Sequence, residues 1–401
     1  MAERSADYGK ITPEGIEKMR GRIGVRQPGV PAWFREAHHD SMRHFAWSFG
    51  DDNPLFGEPD YGASSRWGTI VAPPFYVLNL QDPVAPPIPR ELRDKTRGAL
   101  AGLHEFHAGS EFWFYRPVVP GDRAYSARWV SDVREKVSEF GGGRSVIRDE
   151  IEYVEAADGH PLMKHFQWLV HTERDTARKA GAEKKKTEPP SYTPEEIDAI
   201  EDEIVSEVRR GSEPRFVEDV QIGDDLGRVT KGPMTITDII GAHIGRGPGH
   251  YQWGPLELSV RKRRTHPGFY TRNEFGGWDV VQRVHWDQDF ARSIGTARIY
   301  DYGTMRLNWL THLLTNWMGD DGFVMRLRCE FRKFNYIGDV SRVTGRVTAK
   351  NPDGTIEVAV SCVNQRGEDT CPAEATIALP SRERGLPALP TPPADWVKVR
   401  A

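Results

Sequence analysis

Residues 303–318, GTMRLNWLTHLLTNWM, constrain this chain more than any other stretch. Met305, Leu307, Trp309, Leu310, Leu313, Leu314, Trp317 and Met318 are apolar nearly all round a helical wheel, and a helix without a polar face is buried. Its first turn presents N–H groups with no intrahelical partner and the positive end of the helix dipole. A carbonyl oxygen gaining negative charge near Gly303 would therefore be stabilised there. Just upstream, His285 offers an imidazole for proton chemistry. Taken alone, His285 and Asp287 also read as an ordinary surface His-x-Asp pair.

The run from Arg283 to Gly319 resembles the R-specific enoyl-CoA hydratase (MaoC-like) family. That signature reads roughly G-D-x-N-P-x-H-x-D, then an Ala and a Gly, then a Gly opening the central helix. His285, Asp287, Ala291, Gly295 and Gly303 match it, and HWDQDFA is close to the wording of dehydratases acting on fatty-acyl thioesters. Far upstream, Gly50, Asp51, Asn53 and Pro54 of FGDDNPLF fit the first half of the signature, with Phe56 where the family has its catalytic histidine. The N-terminal half resembles a fatty-acid-synthase-type dehydratase. In the C-terminal half the signature aspartate, five residues before the histidine, is replaced by Val280. The nearest acid is Asp279, and His250 in GRGPGHY is the other candidate for its role.

A length of 401 residues gives room for two domains, each with a full core. The formal net charge of −4 provides no global attraction to nucleic acid or an anionic membrane. Three cysteines without C-x-x-C spacing, Cys329, Cys362 and Cys371, suggest neither a disulfide framework nor zinc, and suit a reducing cytoplasm. The N-terminus has no apolar signal stretch, and no apolar run approaches the roughly 20 residues of a membrane helix. The sequence thus predicts a soluble, cytoplasmic protein. The adjacent His38 and His39, and His104 and His107 at H-x-x-H spacing, lack further ligands at a fixed offset and read as packing or surface residues.

Composition divides the chain into an N-terminal domain at 1–180, a linker and strap helix at 181–212, a C-terminal domain at 213–381 and a Pro-rich tail at 382–401. The linker is the charged stretch Arg174 to Lys186. The strap, SYTPEEIDAIEDEIVSEVRR, has Thr193 as N-cap, Pro194 at the first position and Glu196 closing a capping box, with Ile197, Ile200, Ile204 and Val208 on one face. The run from Gly102 to Lys136 reads as long antiparallel strands, and turns are predicted at Pro120 to Asp122, Gly141 to Arg144 and Asn351 to Gly354. RPVVPGDRAYSARWV and KFNYIGDVSRVTGRV share a Gly-Asp turn before an alternating strand, at Gly121 and Gly338, which points to two related domains. From 244 to 283 runs an irregular insertion rich in Gly, Pro, aromatics and arginine, which reads as a folded lid.

Periodicity alone gives an α+β mixture. The resemblance implies a double hot-dog, two tandem antiparallel sheets each wrapped around a long helix. It further implies a hydratase or dehydratase interconverting a 2-enoyl-CoA, or a related thioester, and its (3R)-hydroxyacyl thioester. In that scheme His285 is the base, Asp279 orients or shares the water, and the Gly303 N–H receives the thioester oxygen. Tyr302, Arg306 and His250 are candidate substrate contacts, and Arg306 reads equally as a buried ion-pair partner. No metal or redox cofactor is expected beyond coenzyme A as part of the substrate. Arg261, Lys262, Arg263 and Arg264 would meet its phosphates or form a solvated face. Pro73 and Pro74, at the start of the corresponding helix of the first half, remove a donor there and suit that half to housing an acyl chain. A homo-oligomer, with a dimer favoured, is expected. A hot-dog thioesterase, a non-catalytic acyl-CoA-binding subunit and a zinc enzyme using the scattered histidines are the alternatives.

Overall fold

The computed structural model describes residues 8–29, 31–138, 143–173, 188–247 and 256–400. The linker from Arg174 to Lys186, the turn residues Gly141 and Gly142, and His250 lie outside them. The strands are β1 (Gln81–Pro83), β2 (His104–Phe114), β3 (Ala124–Ser138), β4 (Gly143–Ala156), β5 (Pro161–Thr172), β6 (Asp225–Lys231), β7 (Tyr270–Arg272), β8 (Trp278–Val280), β9 (Phe323–Glu330), β10 (Ser341–Lys350), β11 (Thr355–Asn364) and β12 (Ala373–Ala378). All but the β7–β8 hairpin join one ten-stranded sheet of order β1-β3-β4-β5-β2-β9-β12-β11-β10-β6. The halves meet where β2 runs antiparallel to β9, with Gly109 opposite Glu330 and Trp113 opposite Arg326. From that joint the order β2-β5-β4-β3 on one side mirrors β9-β12-β11-β10 on the other, which is the double hot-dog. The repeated Gly-Asp turns occupy matching places before β3 and β10. Gly121 (φ 90°) and Gly338 (φ 86°) both take the left-handed conformation that a side chain would resist.

The second half wraps the long helix Gly303–Met318, which is buried from Met305 to Met318 and packs on β6, β9, β10 and β11. On β11, buried Ile356, Val358, Val360 and Cys362 alternate with more exposed residues, the period-two pattern of a strand covered on one face. Three of the polar side chains within the helix are answered locally. Thr311 and Thr315 bond back to Leu307 and Thr311 carbonyls, and Asn308 Nδ2 donates to the Thr304 carbonyl.

The first half departs from the expected pair of long helices. At the corresponding place stands a six-residue 3-10 turn, Pro74–Asn79. Pro73 and Pro74 withhold two N–H groups, and Asn79 turns its amide to the Gly245 carbonyl at 3.1 Å. Phe75 from this turn packs edge-on against Phe112 and Phe114, with ring centroids 4.8 and 5.6 Å apart.

The strap helix starts with the expected capping box but ends at Val205, so Val205 and Val208 are exposed and only Ile200 is buried. Glu203 secures it by clasping Arg342 of β10 at 2.7 and 3.1 Å. The C-terminal tail also does more than extend. Trp396 Nε1 and Val399 N–H both donate to Glu155 of β4, at 2.7 and 3.1 Å, and Val399 is fully buried against the first half. The three cysteines are buried and unbridged. No helix of the described residues is long and apolar enough to cross a membrane.

Candidate functional site

The local sequence turns His285 inward. Val281–His285 is a short 3-10 turn, after which Asp287 caps the helix Gln288–Ser293 by accepting from the Phe290 N–H at 2.9 Å. The other Asp287 oxygen accepts from Nε of buried Arg283, also at 2.9 Å. Asp287 is therefore a structural residue, tied on either side of the histidine between them. His285 Nδ1 lies 2.8 Å from the Tyr300 carbonyl oxygen. A carbonyl only accepts, so Nδ1 carries the hydrogen and Nε2 presents its lone pair. Burial, with lesser repulsion from Arg246 and His243, holds the imidazole pKa down to about 3, so it is neutral at ordinary pH.

Three rings stand in series here. Tyr302 lies against His285 with centroids 4.0 Å apart. Its other neighbour is His243, parallel to within 12° at 5.5 Å, whose Nδ1 is 3.0 Å from the Tyr302 hydroxyl. His243 comes from the helix Ile236–Arg246, fixed at its start by reciprocal bonds between Thr235 and Asp238. The sequence reading did not single out His243, because no local pattern marks it and only tertiary packing brings it to residue 302. Tyr302 is the N-cap of the central helix and offers no side-chain cap, although its carbonyl accepts from the Met305 N–H at 2.9 Å. Phe331 closes over Gly303, where a Cβ would stand 3.2 Å from its ring.

Other candidates fall elsewhere. Asp279, on β8, accepts from the Val280 N–H at 2.7 Å and is not brought to His285 by any hydrogen bond or ion pair of the described residues. Arg306 has the surroundings of the buried ion-pair alternative: it is 4% exposed, paired with Asp301 at 2.8 Å, and donates to the Lys333 and Thr370 carbonyls. An unpaired guanidinium could not stay on so apolar a helix. Burial raises the Asp301 carboxyl to about 6 despite that partner. The insertion is more regular than its composition indicates, holding a helix, Glu257–Thr265, beside the β7–β8 hairpin. There Arg261 pairs with Glu257, while Arg263 and Arg272 stack on Trp278 at 5.1 and 4.2 Å. His107 bonds Ser110 at 2.7 Å, a packing role.

The degenerate signature of the first half is built differently. Asp51 accepts from the Asn53 N–H at 3.0 Å, closing the turn. Phe56 lines an apolar cavity of about 60 Å³ together with Leu55, Trp67, Val71, Val77 and Phe323. A histidine does approach Asp51, but from the other half: His312 Nε2 is 3.7 Å from Asp51 and 2.5 Å from Glu207.

Residues 32–165 match the family described as FAS1-like, dehydratase domain region. A UPF0336 protein of Saccharopolyspora erythraea is 28% identical over 148 residues, 37% of this chain and 87% of that protein. Among solved structures, one described as a MaoC-like dehydratase superposes with a TM-score of 0.61 at 14% identity, covering 90% of this chain and 99% of the other. A MaoC domain dehydratase structure from Chloroflexus aurantiacus gives 0.55 at 13% identity, over 90% and 96% of the two chains. At such identities the likeness is one of fold.

Proposed function

We propose that this chain, a MaoC-like double hot-dog protein, is a hydratase or dehydratase interconverting a 2-enoyl thioester, such as a 2-enoyl-CoA, and its (3R)-3-hydroxyacyl thioester. One observation carries the reading. His285 is a neutral imidazole with its hydrogen on Nδ1, packed on Tyr302 immediately before the uncapped start of a buried helix at Gly303. The reading takes His285 as the base and the Gly303 N–H, one residue on from Tyr302, as the oxyanion donor.

In the hydration direction, water gives a proton to His285 Nε2 as its oxygen bonds C3. The electron pair of the double bond moves toward the thioester oxygen, and the resulting enolate is met by the Gly303 N–H. Such a fixed donor contributes on the order of 3 kcal/mol to the transition state. The proton returns to C2, the double bond is gone and the imidazole is neutral again. Dehydration uses the same groups in reverse. Asp279, half-buried on its hairpin, and His250 are the candidates to hold the water. The cationic helix Glu257–Thr265 suits coenzyme A phosphates.

The test is a panel of enoyl-CoA thioesters differing in acyl group, followed by loss of the enoyl ultraviolet band and by the configuration of the product. Turnover to a (3R)-hydroxyacyl product supports the reading. Release of free coenzyme A with the band intact would make the protein a thioesterase instead.

A further inference from the structure

Resting on the reading of His285 as base, we propose that His243 is a positioning residue for the same reaction, acting through Tyr302. A base must hold its lone pair within a few tenths of an ångström of one line of approach, and a misplacement of about 1 Å costs on the order of 10²-fold in rate. The Tyr300 carbonyl restrains one edge of the His285 ring at 2.8 Å. Its face rests on Tyr302, at 4.0 Å between centroids. That face is only as fixed as Tyr302 itself, which is 6% exposed and is met by His243 and Arg246 of one helix. His243 Nδ1 meets its hydroxyl at 3.0 Å, and the Arg246 guanidinium lies 5.3 Å from its ring centre. Trp286, next to the base in sequence, also packs on His243, with centroids 5.6 Å apart.

The helix Ile236–Arg246 is therefore connected to His285 from two sides, through Tyr302 and through Trp286. This arrangement stands where the signature is broken: Val280 replaces the aspartate, and Asp279 forms its side-chain bond with the Val280 N–H. The constraint that an acid near the imidazole would supply is furnished instead by an aromatic wall, pinned from behind by a second histidine. Two-point fixation by packed rings holds the imidazole without an acid at its edge.

The experiment is a double-mutant cycle on the full-length protein with the best enoyl-CoA of the panel, with His285→Ala measured alongside. Tyr302→Phe keeps the ring and deletes the bond. His243→Leu removes its other partner, and His243→Asn keeps an amide close to the Nδ1 position. Positioning predicts that Tyr302→Phe and His243→Leu each lower kcat about tenfold or more with KM within about threefold. It further predicts that the double variant is no slower than the slower single, and that His243→Asn recovers most of the loss. Wild-type kcat in both singles, with His285→Ala inactive, overturns this inference and leaves the base in place. Losses that multiply, or that follow thermal stability without rescue by asparagine, overturn it as well. An active His285→Ala removes the reading beneath it.

Discussion

The Nδ1 of His285 and the carbonyl oxygen of Tyr300, 2.8 Å apart, fix which nitrogen of the candidate base is free. Since burial holds that imidazole at a pKa of about 3, the active neutral form persists far into acid. The group is lost as base only as pH falls through its own folded value, not at the ordinary 6.5. The pH profile of kcat/KM should accordingly stay flat from about pH 8 down to about pH 5. An acid limb centred near 6.5 would mean a solvated imidazole.

The donor at the head of the central helix can be deleted without deleting the helix. Proline is tolerated at the first helical position, so Gly303→Pro removes the N–H while keeping the turn. It should lower kcat by roughly 10²- to 10³-fold, the effect of one oxyanion donor. Because any added carbon meets Phe331 at 3.2 Å, Gly303→Ala is the control and should lose far less. Equal losses in the two variants would assign the effect to crowding.

His312 is a point where the two halves meet through buried polar groups, its Nε2 lying 3.7 Å from Asp51. Burial raises the Glu207 carboxyl, but the hydrogen bond and charge of His312 outweigh it and hold that carboxyl below its ordinary value. Asp51 faces the same imidazole, and Asn316 Nδ2 donates to Glu207 at 2.6 Å. Replacing His312 by leucine strands the acids, and breaking such a pair costs about 3–5 kcal/mol. The urea midpoint should drop with an unchanged slope. A variant as stable as the parent would show that the acids rehydrate freely.

The tail makes a separate claim on stability. Glu155 takes both the Trp396 indole and the Val399 amide, and Tyr115 and Tyr153 pack edge-on against Trp396 at 5.0 and 4.9 Å. Deleting residues 394–401 should therefore lower Tm by several degrees, and Trp396→Ala should reproduce much of that fall. Calorimetry of the two forms checks it; identical melting curves would make the docking inconsequential.

How much of this was legible depends on how local each feature is. The buried helix, its glycine start and His285 lie close together, and a helix apolar all round could only be enclosed. The Gly-Asp turns at Gly121 and Gly338 announced the repeat because left-handed turns carry their own residue chemistry. Pro73 and Pro74 were visible, yet the shortening of that helix to one 3-10 turn followed from packing that no periodicity encodes. His243 and His312 were invisible for the same reason, each meeting its partners across the fold. Asp287 matched the signature but serves as a helix cap, a role its spacing to Phe290 also permits.

The most direct measurement of the central claim is the rate of water addition by His285→Ala on an enoyl thioester that the parent turns over, with folding checked by circular dichroism. Loss of general-base catalysis predicts a fall in kcat of about 10²- to 10⁴-fold in a protein that remains folded. Turnover near the parent rate would contradict the assignment of residue 285 and leave the architecture without its proposed chemistry.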